Sequence, residues 1–217
     1  MTVVHIEKSS FVNWDGKITA VLYMQGCNFR CSYCYNKELI HPTHPSISFP
    51  EIKRTLTSLK DWIDGVVITG SEPTLNEEYL KNLIDLIEFP VKLDSNGSKP
   101  ATLRNLIPLL DYIAMDVKWY FDRYEEITGV PVGADDLRRS VEIIKNSGID
   151  YEFRTTVLHT FTFDDIIAIA DQVAPAKRYV LQPEYRNDRM ITDIELLKEA
   201  KDLLMRKFEI VKIRGLR

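Results

Sequence analysis

The sequence predicts an α/β protein built on one parallel sheet, and three observations carry the prediction. Six short runs of apolar or β-branched residues recur along the chain of 217 residues. Segments with helical spacing separate them, and repeated strand–helix alternation is the pattern of parallel strands joined by right-handed crossovers. Run after run also ends in a polar or glycine-bearing cluster. In a parallel sheet all strand C-termini share one rim, and that rim is where such proteins place their sites.

The elements follow in order. Val3 to Phe11 reads as an edge piece ahead of the repeat. The strands are Thr19–Met24, Gly65–Thr69, Pro90–Leu93, Tyr112–Met115, Tyr151–Val157 and Arg178–Leu181. Helical spacing falls at about 50–61, 76–88, 100–110, 134–147, 163–174 and 193–206. Ser48 with Glu51, and Thr192 with Glu195, match the S/T-x-x-E capping pattern. Phe208–Ile213 adds a last strand. Six units fall short of the eight-stranded barrel, which leaves an open, curved partial barrel or a doubly wound flat sheet. No linker, low-complexity tract or internal repeat interrupts the series, so residues 1–217 read as a single domain.

Hydrophobic residues make up 45% of the chain and charged residues 28%, enough for one substantial core. Lys and Arg number 28 against 32 Asp and Glu, a net charge of −4, so there is no general positive field and no nucleic-acid partner is expected. Apolar stretches such as Val66-Val67-Ile68 are far shorter than the roughly 20 residues that span a bilayer, and Met1 to Phe11 has no signal-peptide pattern. A cytoplasmic location with no membrane partner is the expectation.

All three cysteines lie within Cys27-Asn28-Phe29-Arg30-Cys31-Ser32-Tyr33-Cys34, a C-x3-C-x2-C spacing on the loop after the first repeat strand. A disulfide-stapled secreted domain would spread an even number along the chain, so these read as ligands or reactive thiols. Three thiolates on one loop can wrap a metal centre, and soft thiolates select iron–sulfur clusters, zinc or copper(I). A structural zinc site would take His41 or His44 as its fourth ligand. A four-iron cluster usually takes four cysteines, so here one iron would lack a protein ligand and could bind a substrate.

The spacing, with Tyr33 just before the last cysteine, resembles the signature of the radical S-adenosylmethionine (SAM) enzymes. Gly70-Ser71-Glu72-Pro73 resembles that family's Gly-Gly-Glu-Pro segment, with Ser71 replacing the second glycine. Asp94-Ser95-Asn96-Gly97 resembles its Asp-Thr-Asn-Gly segment, and Asp116-Val117-Lys118 its Asp-hydrophobic-Lys. Together these cover roughly residues 18–185. The resemblance implies the open partial (β/α)6 barrel of the radical SAM type.

It further implies that Cys27, Cys31 and Cys34 hold three irons of a [4Fe–4S] cluster, the fourth being chelated by the amino and carboxylate groups of SAM. Glu72 and the backbone of Gly70 and Ser71 would receive the amino group, Tyr33 would lie near the adenine, and Ser95 and Asn96 near the ribose or methionine. Lys118 belongs to the same binding set. Arg154 would pair with the SAM carboxylate as a planar fork. Asp94 and Asp116 match acidic positions that hold a monovalent cation in some activating enzymes of the family. The implied chemistry is one-electron reduction of the cluster and cleavage of the sulfonium to methionine and a 5′-deoxyadenosyl radical, with no further catalytic residue assigned.

Each motif also has a plainer reading. Gly70 to Pro73 alone suits a turn, and Glu72 alone a carboxylate at a helix entrance. Arg154 alternates with apolar neighbours, which suits an inward-facing ligand or an ion-paired strand residue equally. Trp119-Tyr120-Phe121 suits a partner surface or core packing. The chain has no second cysteine cluster, and is most similar to the glycyl-radical activating proteins, of the anaerobic ribonucleoside-triphosphate reductase activator type. That resemblance implies a glycyl-radical enzyme as partner and a flavodoxin- or ferredoxin-type low-potential electron donor. The alternatives are a small-molecule enzyme like the 7-carboxy-7-deazaguanine synthases, or a non-enzymatic iron–sulfur or zinc protein.

Overall fold

The computed structural model describes residues 1–216. Its main sheet has eight strands in the order β1-β2-β3-β4-β5-β6-β7-β10. Here β1 is Val3–Ser10, β2 Thr19–Met24, β3 Gly65–Gly70, β4 Val91–Ser95, β5 Tyr112–Asp116, β6 Asp150–Val157, β7 Ala176–Pro183 and β10 Phe208–Ile213. β1 runs antiparallel to β2, and every other neighbouring pair is parallel. The order never reverses, so right-handed crossovers keep all helices on one face, which excludes the doubly wound alternative. β1 and β10 do not pair, so the sheet curls into a partial barrel that stays open.

The helices are α1 Phe49–Ser58, α2 Glu77–Asp85, α3 Pro100–Leu106, α4 Glu125–Thr128, α5 Ala134–Lys145, α6 Phe163–Asp171 and α7 Ile194–Leu204. α3 ends earlier than its spacing predicts and continues as a 3-10 turn over Ile107–Leu109. Pro108 has no N–H to continue the α ladder. β4 runs past its predicted end to Ser95, because Asp94 and Ser95 still pair with Ala114 and Met115 of β5. The short α4 and a hairpin of β8 (Tyr185–Arg186) and β9 (Arg189–Met190) have too few residues for any periodicity to reveal.

Both predicted capping boxes differ in detail. Ser48 makes no side-chain cap, since Pro50 supplies no N–H and the Glu51 N–H bonds the Ser48 carbonyl. At α7 the cap lies one residue later: Asp193 accepts from the Glu195 N–H, while the Thr192 hydroxyl donates to the Val157 carbonyl. The box that does form, Thr162 with Asp165, opens α6.

Alternate strand residues face opposite sides. Leu22, Ile68, Leu93, Met115, Phe153 and Leu181 point toward the helices and join the main core. The other set faces the concave side. At its lower end Val21, Val67 and Tyr112 pack around Trp14, which the β1–β2 loop folds beneath the sheet. Above them the concave face turns polar. Lys92, fully buried, donates to the Asn13 carbonyl and to Glu152 at 3.2 Å, and Arg214 grips both Glu152 oxygens at 2.6 and 2.7 Å. Asp15 in that loop pairs with Lys212 at 2.8 Å and Arg214 at 3.1 Å, closing with charge the seam that strands leave open.

Candidate functional site

The C-terminal rim encloses a cavity of about 770 Å³. Its walls carry Cys27, Cys31 and Cys34, then Tyr33, Gly70, Ser71, Asp94, Ser95, Asn96, Asp116, Lys118 and Arg154. Of the residues expected to touch the cluster or SAM, Glu72 is the one not on the wall.

The cysteine loop is held from both ends. Gly26 and Cys27 donate their N–H groups to the Leu39 and Ile40 carbonyls, at 2.7 and 3.0 Å, so the loop returns on itself. Arg30 donates to the Cys27 carbonyl at 2.8 Å, and its own N–H reaches the Thr128 carbonyl of α4 at 2.7 Å. Phe29 is buried, stacks edge-on against Tyr124 and donates its N–H to the Cys27 sulfur at 3.3 Å. All three thiols are free. Burial pushes the Cys27 thiol up to about 11 and raises Cys31 as well, with Lys118 opposing both shifts.

The next rim loop follows β3. Gly70 sits at φ +109, and a Cβ there would lie 2.5 Å from the Met24 carbonyl oxygen of the adjacent strand, so only glycine fits. Its carbonyl accepts from Asn36 at 2.8 Å. Ser71, where the family pattern has glycine, turns its hydroxyl to the Leu39 carbonyl at 2.7 Å and so ties this loop to the cysteine loop. Glu72 is only 1% exposed. Its carboxylate accepts from the Thr74 N–H and hydroxyl, from the Ser95 hydroxyl at 2.9 Å and from the Asn96 N–H at 2.5 Å. Burial raises its proton affinity and these four donors oppose that rise.

The loop after β4 carries Asp94, Ser95 and Asn96. The Asn96 side chain donates to Asn28 at 2.9 Å, and Asn28 donates to Ser98 at 2.9 Å, so this loop too is joined to the cysteines. Gly97, at φ +78, leaves room for the Met115 side chain.

Arg154 lies between the two aspartates. It reaches Asp94 at 3.0 Å and Asp116 at 2.8 and 2.9 Å, while Lys118 holds the other Asp116 oxygen at 3.1 Å. Burial would raise the Asp116 carboxyl, but Arg154 and Lys118 outweigh it and hold it at about 2. The Arg154 nitrogens thus already face two carboxylates, and its guanidinium lies between Asp94 and Asp116. Asp94 Oδ1 is buried without a hydrogen bond, with the Lys92 ammonium 3.6 Å away.

Strand periodicity alone would have added Tyr23, Thr69 and Thr156, which line the cavity from inward-facing positions. The hairpin and the segment after β10 contribute Tyr185 and Gly215, which no local pattern announces. Tyr185 bridges the mouth, taking its N–H to the Tyr35 hydroxyl at 2.7 Å and its own hydroxyl to the Gly215 carbonyl. Glu184 faces away, holding His159 at 2.9 Å and Arg186 at 3.1 Å. In Trp119-Tyr120-Phe121 the ring of Phe121 is buried and Trp119 stacks on Phe161 at 4.7 Å, so this run is packing.

Three thiols and a set of neutral and charged polar groups around one cavity fit an open iron–sulfur cluster beside a small zwitterionic ligand. His44 is turned to the Glu38 carbonyl.

Comparison with known proteins agrees. The Radical SAM superfamily pattern matches residues 21–173. A glycyl-radical enzyme activating enzyme of Methanocaldococcus jannaschii is 29% identical over 208 residues, which is 91% of this chain and 86% of that protein. The pyruvate formate-lyase-activating enzyme of Clostridium pasteurianum is 28% identical over 72% of this chain and 68% of its own length. Streptococcus suis SuiB superposes on 91% of this chain with a TM-score of 0.69 at 15% identity, and the chain spans 49% of that protein. Since the family pattern takes in well over half of the residues, the chain belongs to the radical SAM superfamily, which works with a [4Fe–4S] cluster and S-adenosylmethionine.

Proposed function

We propose that the protein is a glycyl-radical activating enzyme. Cys27, Cys31 and Cys34 hold the cluster, and the SAM-derived radical takes a hydrogen atom from a glycine Cα of a partner enzyme, such as an anaerobic ribonucleoside-triphosphate reductase. The observation that carries the reading is the single cavity onto which the three thiols and the rim loops open, beneath a mouth between separate chain segments. When bound, the cluster and SAM supply electron transfer and carbon–sulfur cleavage; the protein's part is to bind, orient and exclude water.

The individual roles follow from position. Tyr33 covers the adenine. Ser95 and Asn96 meet the ribose or methionine, and the carbonyls of Gly70 and Ser71 face the amino group. Lys118, which lines the cavity while holding Asp116, offers a cation to the SAM carboxylate. The matched relatives, named for glycyl-radical enzyme and pyruvate formate-lyase activation, support a protein substrate. A flavodoxin- or ferredoxin-type protein is the proposed electron donor and the cytoplasm the proposed location. No helix among the described residues is long and apolar enough to cross a membrane. Residues 1–217 are proposed to act as one domain.

Anaerobically reconstituted protein should be brown and, once reduced, should convert SAM to 5′-deoxyadenosine. With the partner present, electron paramagnetic resonance should show a glycyl radical. SAM cleavage with no glycyl signal on any such partner would overturn the activating role, and iron-free protein would overturn the chemistry.

A further inference from the structure

We propose that Lys92, inside the barrel beneath the rim, is a positioning residue for SAM binding that acts through Asp94. The proposal rests on the reading that the cavity holds SAM, and gives a role to a buried cation which that reading leaves unused. Lys92 is fully buried and is not on the cavity wall, so a ligand feels it only through a neighbour. It stands two residues before Asp94 on β4, and residues two apart on a strand share a face. An ammonium has three N–H donors. This one donates to the Asn13 carbonyl at 2.5 Å and to Glu152 at 3.2 Å, which leaves one donor for Asp94, whose Oδ1 is 3.6 Å away.

Of the two acids, Asp94 depends on Lys92 more. Glu152 keeps Arg214 on both its oxygens, at 2.6 and 2.7 Å, and the Tyr112 hydroxyl at 3.1 Å. Asp94 has the Thr69 hydroxyl at 3.1 Å and Arg154 at 3.0 Å on Oδ2, but Oδ1 is buried with no hydrogen bond and has the Lys92 ammonium as its ion-pair partner. A buried carboxylate oxygen with neither water nor a cation beside it is costly. Without the ammonium, Asp94 is therefore expected to rotate toward the cavity and to draw Arg154 with it. Charge alternates along Lys92, Asp94, Arg154, Asp116 and Lys118, and the last four of these line the cavity. A change at the first member thus reaches SAM as a shift of the groups that face it.

The test is a double-mutant cycle read on SAM affinity. Dissociation constants for SAM are measured on reconstituted, oxidised wild type, Lys92→Met, Asp94→Asn and the double variant, with iron content and the urea midpoint determined for each. Lys92→Met is expected to weaken SAM about tenfold at unchanged iron content when made alone, and by no more than about twofold when added to Asp94→Asn. Loss by the same factor in both backgrounds, or no loss in either, would overturn the proposal and leave Lys92 as a structural partner of Glu152. A lowered urea midpoint with additive SAM constants counts as the same structural outcome. If Lys92→Met does not fold or load iron, Lys92→Gln, which keeps two N–H donors without the charge, takes its place in the cycle and is read the same way. Wild type that binds no SAM would instead overturn the reading of the cavity, and the proposal with it.

Discussion

Cys31 is nearly buried, yet its thiol opens on the cavity, and the chain has no spare cysteine to replace it. Cys31→Ala is therefore expected to lose most of its iron and all SAM cleavage; turnover equal to wild type would contradict the ligand assignment. The thiols also set a pH dependence. With Cys27 raised to about 11 by burial, and Cys31 raised too, both are protonated at neutral pH in the metal-free protein. Iron binding must release those protons, so reconstitution should become more favourable between about pH 7 and pH 9, read as iron bound at fixed iron concentration. At the inner wall, Arg154 faces both Asp94 and Asp116. Arg154→Met leaves two carboxylates without their guanidinium and should cost about 3–5 kcal/mol in denaturant unfolding. Arg154→Lys should recover little, because one ammonium cannot serve both acids in the forked geometry. The alternation of residues 151–157 places Arg154 on one face of its strand. That its partners would be protein acids could not be read there, because they arrive from two other strands.

At the scale of elements, the site is a set of strand ends and the turns that leave them. Gly70 shows the constraint most sharply. Its left-handed backbone and the 2.5 Å approach to Met24 make Gly70→Ala a change that must move β3 against β2. It is expected to lower stability by about 3 kcal/mol and to reduce SAM affinity; a variant with wild-type melting behaviour would show that the loop relaxes freely. Strand and helix positions were largely legible in the sequence, since burial on both faces writes long apolar runs into parallel strands. The ends were less so. Asp94 and Ser95 belong to β4 because β5 pairs with them, and Asp193 rather than Thr192 caps α7 because the Thr192 hydroxyl is drawn to Val157. Such choices depend on neighbours distant along the chain.

For the whole molecule, the decisive feature is a sheet that curls without closing. The seam between its edges is bridged by Asp15 with Lys212 and Arg214, and the mouth by Tyr185 with Tyr35 and Gly215. Burial raises the Asp15 carboxyl, yet the two cations more than offset it and leave it below its ordinary value. A depressed acid stabilises the fold above its unfolded pKa and loses that contribution as pH falls through the folded one. Asp15→Asn should thus melt about 2–4 °C below wild type at neutral pH, with the difference shrinking as the pH falls through the lowered folded pKa. A difference that persists unchanged in acid would mean that the side chain acts by packing and not by charge.

The sequence by itself determined the parallel α/β class, the order of its units and the residues that would gather at one rim. Apolar periodicity and the C-x3-C-x2-C spacing are local properties of the chain. Only the tertiary structure decided what those residues face. It turned Glu72 inward as a tie between loops, set Arg154 between two aspartates and brought Tyr185 across to Tyr35, 150 positions away. Direction and partnership at a buried site depend on which donors and charges other strands deliver to the same few ångströms, and no stretch of sequence contains that information.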